Sequence, residues 1–250
     1  MTTRDATEKS LLSTKPIARE ERLIFPLDFS THGEALRFVE VLGDAVRFYK
    51  LGFEILLAGN YLSLVEKLVA MRKRIFVDLK LFDVPETVRS AVKQLRDKGV
   101  TFVTVHGNEA MIRAACSEKK DLSILGVTVL TSMDVDDLRD LGFPESVSVE
   151  QLVLSRARRA MAAGCDGVIA SGVEGPRLRE EFGDGFLIVS PGIRPLENQL
   201  ADDQKRVVTD RQALLNGADY IVVGRPIRKA PDPRAAALSI QRTIAELFPR

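Results

Sequence analysis

Between Arg74 and Thr87 the chain reads R-I-F-V-D-L-K-L-F-D-V-P-E-T, an apolar run that ends by delivering Asp78, Lys80 and Asp83 in a D-x-K-x-x-D pattern. Successive side chains of a strand point to opposite faces, so Phe76, Asp78 and Lys80 share one face and Ile75, Val77 and Leu79 the other. An acid and a base are thereby held side by side in apolar surroundings, where unpaired charge is expensive. The two form either a structural ion pair at a strand end or part of an acid–base device, and spacing alone leaves both open. An ammonium so placed can stabilise negative charge developing on a bound molecule and return a proton to it. Asp83 is equally ambiguous: Asp83-x-x-Glu86, with Pro85 in the first helical turn, has the form of a capping box that needs no chemistry.

These charges need a frame that holds strand ends together. Apolar, β-favouring runs predict strands at Leu23–Asp28, Arg47–Phe53, Arg74–Lys80, Phe102–His106, Ile124–Leu130, Gly167–Ser171, Leu187–Ser190 and Tyr220–Gly224. Pro26 is awkward in the first of these, because it removes a ladder donor. Helical patterns lie between them. Thr31-x-x-Glu34 opens a helix ending at Gly43, and Asn60–Met71 turns Leu64, Val65, Leu68 and Val69 to one side. Val88, Ala91, Val92 and Leu95 form a stripe ending at Gly99, another helix starts near Asn108, and Ser148-x-x-Gln151 opens a long one reaching Gly164. Eight strands alternating with helices predict an α/β fold, a single-domain (β/α)8 barrel; an open doubly wound sheet has the same periodicity. Residues 1–20, charged and without sustained period, read as a mobile N-terminal arm, and 21–250 as the catalytic barrel domain.

Composition narrows the function. With 250 residues and 45% hydrophobic content the chain can bury a large core, and 36 basic against 35 acidic residues, without a run of five like charges, argue against nucleic acid and anionic membrane as partners. No apolar run approaches the length of a membrane span, and the polar start lacks the apolar centre of a signal peptide, so a cytoplasmic protein acting on a small molecule is expected. Cys116 and Cys165 have no metal-ligand spacing and read as reduced, mostly buried thiols.

Barrel enzymes carry their sites at the carboxyl ends of the strands, and here nearly every end delivers a polar residue or glycine: Asp28, Lys50, Asp78 with Lys80, His106, Thr131, Ser171, Arg194 and Arg225. Gly192-Ile193-Arg194 after strand seven and Gly224-Arg225 after strand eight put backbone N–H and guanidinium donors where barrels hold phosphate. His106 reads as a hydrogen-bonded wall residue and His32 as surface.

Taken together, L-D at 27–28, Y-K-L-G at 49–52, D-L-K-L-F-D-V-P at 78–85, V-T-V-L-T-S-M at 127–133, S-P-G-I-R-P at 190–195, A-D-D-Q at 201–204 and V-V-G-R-P-I at 222–227 resemble the orotidine 5'-monophosphate decarboxylases, from about Leu23 to Leu247. The resemblance implies cofactor-free decarboxylation of orotidine 5'-monophosphate to UMP, a step of de novo pyrimidine biosynthesis, in a homodimer with shared active sites. It makes Lys50, Asp78, Lys80 and Asp83 the charged network at C6 of the pyrimidine, with Asp83 reaching in from the other subunit and Lys80 as proton donor. Asp28 and Lys50, with Thr87 from the partner, would hold the ribose. Thr131 would read the pyrimidine edge, and Gln204, Gly224 and Arg225 would bind phosphate with help from Arg194. Glu86 departs from the Asn usual in a D-x-P-N-T run. Metal-dependent relatives on the same scaffold, such as hexulose-phosphate synthases, share D-x-K-x-x-D but look different at strand two, where they offer a metal-binding Glu; here that position is Lys50, whose cation repels Mg2+.

Overall fold

Strands covered on both faces read as continuous apolar runs, and the runs in this chain form eight parallel strands that close into a barrel in chain order. The computed structural model describes residues 11–194 and 206–249. The strands are β1 Leu23–Pro26, β2 Phe48–Leu51, β3 Arg74–Leu81, β4 Val100–Val105, β5 Ser123–Val127, β6 Gly167–Ile169, β7 Leu187–Ser190 and β8 Tyr220–Val222. The helices around them are α1 His32–Leu42, α2 Phe53–Leu57, α3 Tyr61–Ala70, α4 Pro85–Leu95, α5 Glu109–Cys116, α6 Val135–Asp140, α7 Val149–Ala162, α8 Gly175–Phe182, α9 Asp210–Leu215, α10 Arg225–Arg228 and α11 Pro233–Leu247. The expected barrel is therefore present. The awkward Pro26 ends β1, where a missing N–H does least harm.

Two apolar layers hold the fold. Outside the barrel, Val39 and Leu42 of α1, Leu64, Val65 and Leu68 of α3 and Val88, Val92 and Leu95 of α4 pack on outward strand residues such as Ile75 and Val77. Inside, Phe48, Phe76, Phe102 and Tyr220 fill the lumen. The Phe102 ring meets Phe48 at 5.1 Å and lies edge-on to Tyr220 at 5.1 Å and to Phe76 at 5.9 Å, so the barrel is a packed plug. The alternation that turns Phe76 inward turns Asp78 inward two residues later.

Described residues ahead of β1 contact the body of the barrel. Thr14 Oγ1 donates to Asp184 at 2.6 Å, the Lys15 ammonium contacts Asp184 and Asp219, and Arg22 donates to the Lys15 carbonyl at 3.2 Å. These contacts lie at the amino-terminal mouth of the barrel, where Asp219 immediately precedes β8. Cys116 and Cys165 are free and partly buried, with sulfurs 4.0 Å apart. Among the described residues, no helix is long and apolar enough to cross a membrane.

Candidate active site

The carboxyl ends of the strands surround a cavity of about 520 Å³, in the range of small-molecule sites. Asp28, Lys50, Asp78, Lys80, Thr131, Arg194, Gly224 and Arg225 all border it. Strand geometry brings the first four together: Pro26 pairs with Lys50, and Lys50 with Phe76, so adjacent strand ends stand side by side. Asp78 accepts from both lysines, from Lys50 Nζ at 3.2 Å on one oxygen and from Lys80 Nζ at 3.1 Å on the other, while Lys50 Nζ lies 3.6 Å from Asp28. The result is a row of alternating charge, Asp28–Lys50–Asp78–Lys80. A side chain at Gly52 would place its Cβ 3.3 Å from Lys50 Nζ, so the glycine leaves the row its room.

The row holds its charge despite burial. Burial opposes the Lys50 ammonium, but the Asp78 and Asp28 carboxylates more than offset it and hold its pKa above the ordinary lysine value. Burial likewise opposes charge on Asp78, and Lys50 and Lys80 overcome it, keeping the carboxyl below the usual range. Asp78 is thus a carboxylate paired on both of its oxygens.

Lys80 carries an unusual backbone. Its φ is +44°, in the left-handed region that a non-glycine residue enters at a cost of order 1–3 kcal/mol. The β3–β4 register shifts between Val77 and Leu81 at the same place. Thr104, on the inward face of β4, receives the Lys80 N–H at 2.9 Å and donates to Asp78 at 2.9 Å. Sequence reading passed over Thr104. The signal was present, since alternation puts Phe102, Thr104 and His106 on one face, beside the strand that carries Asp78.

Across the barrel, β7 and β8 supply the second half of the cavity wall. Arg194 is buried and donates to the Ile193 carbonyl at 2.8 Å. Gly224 packs so closely that a Cβ would lie 2.9 Å from the Pro26 ring, which brings the start of α10 against the cavity. Arg228, three residues after Arg225 on α10, also lines the cavity, donates to the Asp28 carbonyl and stacks over Phe29 at 5.6 Å. The i, i+3 spacing of Arg225 and Arg228 was its overlooked sign. Gln204 lies outside the described residues.

Thr131 borders the cavity on a strongly braced turn. Arg206 donates to the carbonyls of Val129 at 3.0 Å and Leu130 at 2.8 Å, its N–H bonds the Thr131 carbonyl at 3.3 Å, and it pairs with the buried Glu174. Asp83 and Thr87 stand apart: both are exposed beyond β3, beside Phe82 and Val84, which are 66% and 61% exposed. The capping box that the sequence allowed at Asp83 does not form. Val84 is the N-cap of α4, and Asp83 accepts only from the Val84 N–H at 2.6 Å among the described residues. His106 meets Phe82 edge-on at 5.6 Å; burial, then Arg156 and Lys80, lowers its pKa, which suits a neutral wall residue.

Residues 21–240 match the model of the Orotidine 5'-phosphate decarboxylase / HUMPS family. The chain belongs to that family. Within it, an orotidine 5'-phosphate decarboxylase of Methylococcus capsulatus is 58% identical over 239 residues, covering 96% of this chain and 98% of the relative. One of Stenotrophomonas maltophilia is 49% identical, covering 92% and 95%. The crystal structure of the orotidine 5'-phosphate decarboxylase from Lactobacillus acidophilus superposes with a TM-score of 0.79 at 35% identity, over 90% of this chain and 99% of that one. Membership of this family accounts for the barrel.

Proposed function

We propose that the protein decarboxylates orotidine 5'-monophosphate to UMP without a metal or organic cofactor, with Lys80 as proton donor to C6. The observation that carries this reading is the Asp28–Lys50–Asp78–Lys80 row facing a cavity whose far wall bears Arg194 and Arg225. A phosphorylated ligand anchored on the arginines would lay its ring toward β3. Loss of CO2 from C6 leaves a carbanion in the ring plane, which the Lys80 ammonium would stabilise and then protonate. Asp78 would face the substrate carboxylate: two like charges about 4 Å apart at an effective dielectric of about 20 repel by about 4 kcal/mol, relieved as neutral CO2 departs. Energy from the remote phosphate can serve to hold the ring in this position.

The family also holds hexulose-phosphate enzymes, to which the β2 position speaks. An ammonium wedged 3.2 Å and 3.6 Å from two carboxylates takes up the charge that a divalent ion would need. Among the described residues, no group of three or more His, Cys, Asp or Glu is placed to hold a metal ion. An absorbance assay with orotidine 5'-monophosphate, with and without EDTA, tests the reading. Turnover unaffected by chelator is expected; activity abolished by EDTA and restored by Mg2+ would overturn it.

The site would be completed across a two-fold interface, by Asp83 and Thr87 of the partner subunit. The support is the exposure of Phe82 and Val84 beside these two polar residues, an apolar and polar surface at the rim of the site. Lys80→Ala and Asp83→Asn proteins, each nearly inactive, are remixed by reversible dissociation. Random exchange makes about half the dimers mixed, each with one intact site, so about a quarter of wild-type activity should return. No recovery, with exchange confirmed by mass-tagged chains, would show that Asp83 serves its own barrel.

A further inference from the structure

The Lys80 ammonium has a flexible stem, yet the backbone that launches it is held in a conformation lysine avoids. Strain of this kind persists only where neighbours over-determine it, and one side chain here touches both halves of the device. Thr104 is fully buried on β4. The register shift beside Lys80 removes the regular ladder partner from its N–H, and the Thr104 oxygen takes that N–H at 2.9 Å. The one hydroxyl proton then points the other way, to Asp78 Oδ1 at 2.9 Å, the same oxygen that Lys80 Nζ reaches at 3.1 Å. The Lys80 main chain is therefore tied, through a single hydroxyl, to the same carboxylate oxygen that its own ammonium reaches directly.

We infer that Thr104 is a positioning residue for the decarboxylation: its hydroxyl fixes the left-handed turn at Lys80 and the rotamer of Asp78, and so sets where the ammonium stands relative to the reacting carbon. The inference rests on the proposed function for its chemistry, but its geometry stands alone. Threonine on a barrel strand is otherwise a packing residue, and valine would pack as well. What valine cannot do is accept the Lys80 N–H and donate to Asp78 at once. Serine can do both. The resulting order of variants, serine above alanine and valine, is one that packing would not produce.

The test compares Thr104→Ser, Thr104→Ala and Thr104→Val in steady-state assays with orotidine 5'-monophosphate, each normalised to folded protein by circular dichroism. Displacing a reacting group by about 1 Å can cost on the order of 100-fold in rate. Thr104→Val and Thr104→Ala should therefore lose on the order of 100-fold in kcat with KM nearly unchanged, while Thr104→Ser stays within about fivefold of wild type. If valine fails to fold, the serine–alanine pair decides. Equal activity of alanine and serine, or a valine variant with wild-type kcat, would overturn the inference. Wild-type protein that does not turn over this substrate would end the proposed function instead. The inference would then be read from a crystal structure of Thr104→Val, or of Thr104→Ala if valine does not fold: Lys80 should leave positive φ, and an unmoved Lys80–Asp78 contact would overturn it.

Discussion

Lys15, Arg179, Asp184 and Asp219 at the amino-terminal mouth of the barrel are two cations and two carboxylates, as are Asp28, Lys50, Asp78 and Lys80 at the carboxyl mouth. The two clusters differ in where their hydrogen bonds go. Asp219 is fully buried and accepts from Arg179 at 2.8 Å, Lys15 at 3.2 Å and the Ile188 N–H at 2.8 Å. Arg179 gives its remaining donors to the carbonyls of Gly183, Phe186 and Gly217. At the other mouth, Lys80 Nζ donates to Asp78 alone among the described residues, from a strained backbone, toward a cavity. A hollow of about 590 Å³ also borders Lys15, but Arg179, Asp184 and Asp219 do not line it. Buried charge that spends its donors on main chain is architecture; charge aimed into a cavity is available to a ligand.

That contrast can be broken at either end. Lys80→Ala should lower kcat by about 10⁴-fold, because acid catalysis and charge stabilisation are lost together, while the thermal midpoint moves little. A calorimetric scan beside the assay checks both halves, and turnover within tenfold of wild type would transfer the acid role elsewhere. Asp219→Ala should do the reverse. It strands Arg179 in a buried site, so chemical denaturation should show a loss of about 3–5 kcal/mol, with kcat per folded molecule within about twofold. A selective loss of kcat there would mean that the two mouths are coupled.

The smallest effect is a pH dependence. Burial raises the Asp184 pKa, but hydrogen bonds from Lys15 and Thr14 and the nearby positive charge hold it at about 2. A depressed folded pKa gives stability that is complete above the unfolded value, near 3.9, and is lost as pH falls toward about 2. Asp184→Asn should flatten the stability curve of the wild type in that window and leave it unchanged near pH 7 in shape. An identical acid limb in both proteins would remove Asp184 from the account.

How much of this was legible follows from what each feature depends on. The strands were readable because parallel strands are apolar on both faces, and Asp78 and Lys80 stood out as charge at the end of such a run, whereas Lys50 joined them only through the family resemblance. Thr104 escaped because its role exists only across the β3–β4 register, and Arg206 because it braces Thr131 from far along the chain. The partners of Lys15 were hidden for the same reason, since Asp184 and Asp219 lie far along the chain. Short elements were lost to length. The five residues of α2 and four of α10 are too few to show a period, and the Asp134–Asp137 capping box of α6 lay among other acids.

The seam between β1 and β8 has a consequence for synthesis. Leu23 pairs with Ile221 and Ile24 with Val222, so nearly the whole chain separates the first strand from its last partner. At roughly 5–20 residues per second, β1 leaves the ribosome on the order of tens of seconds before β8 does. Through that interval its outer edge is an open template for stray pairing. A four-residue strand ended by Pro26 is a poor one, since it is short and lacks a donor at its tip. The proline that looked out of place in the finished barrel is well suited to the unfinished one.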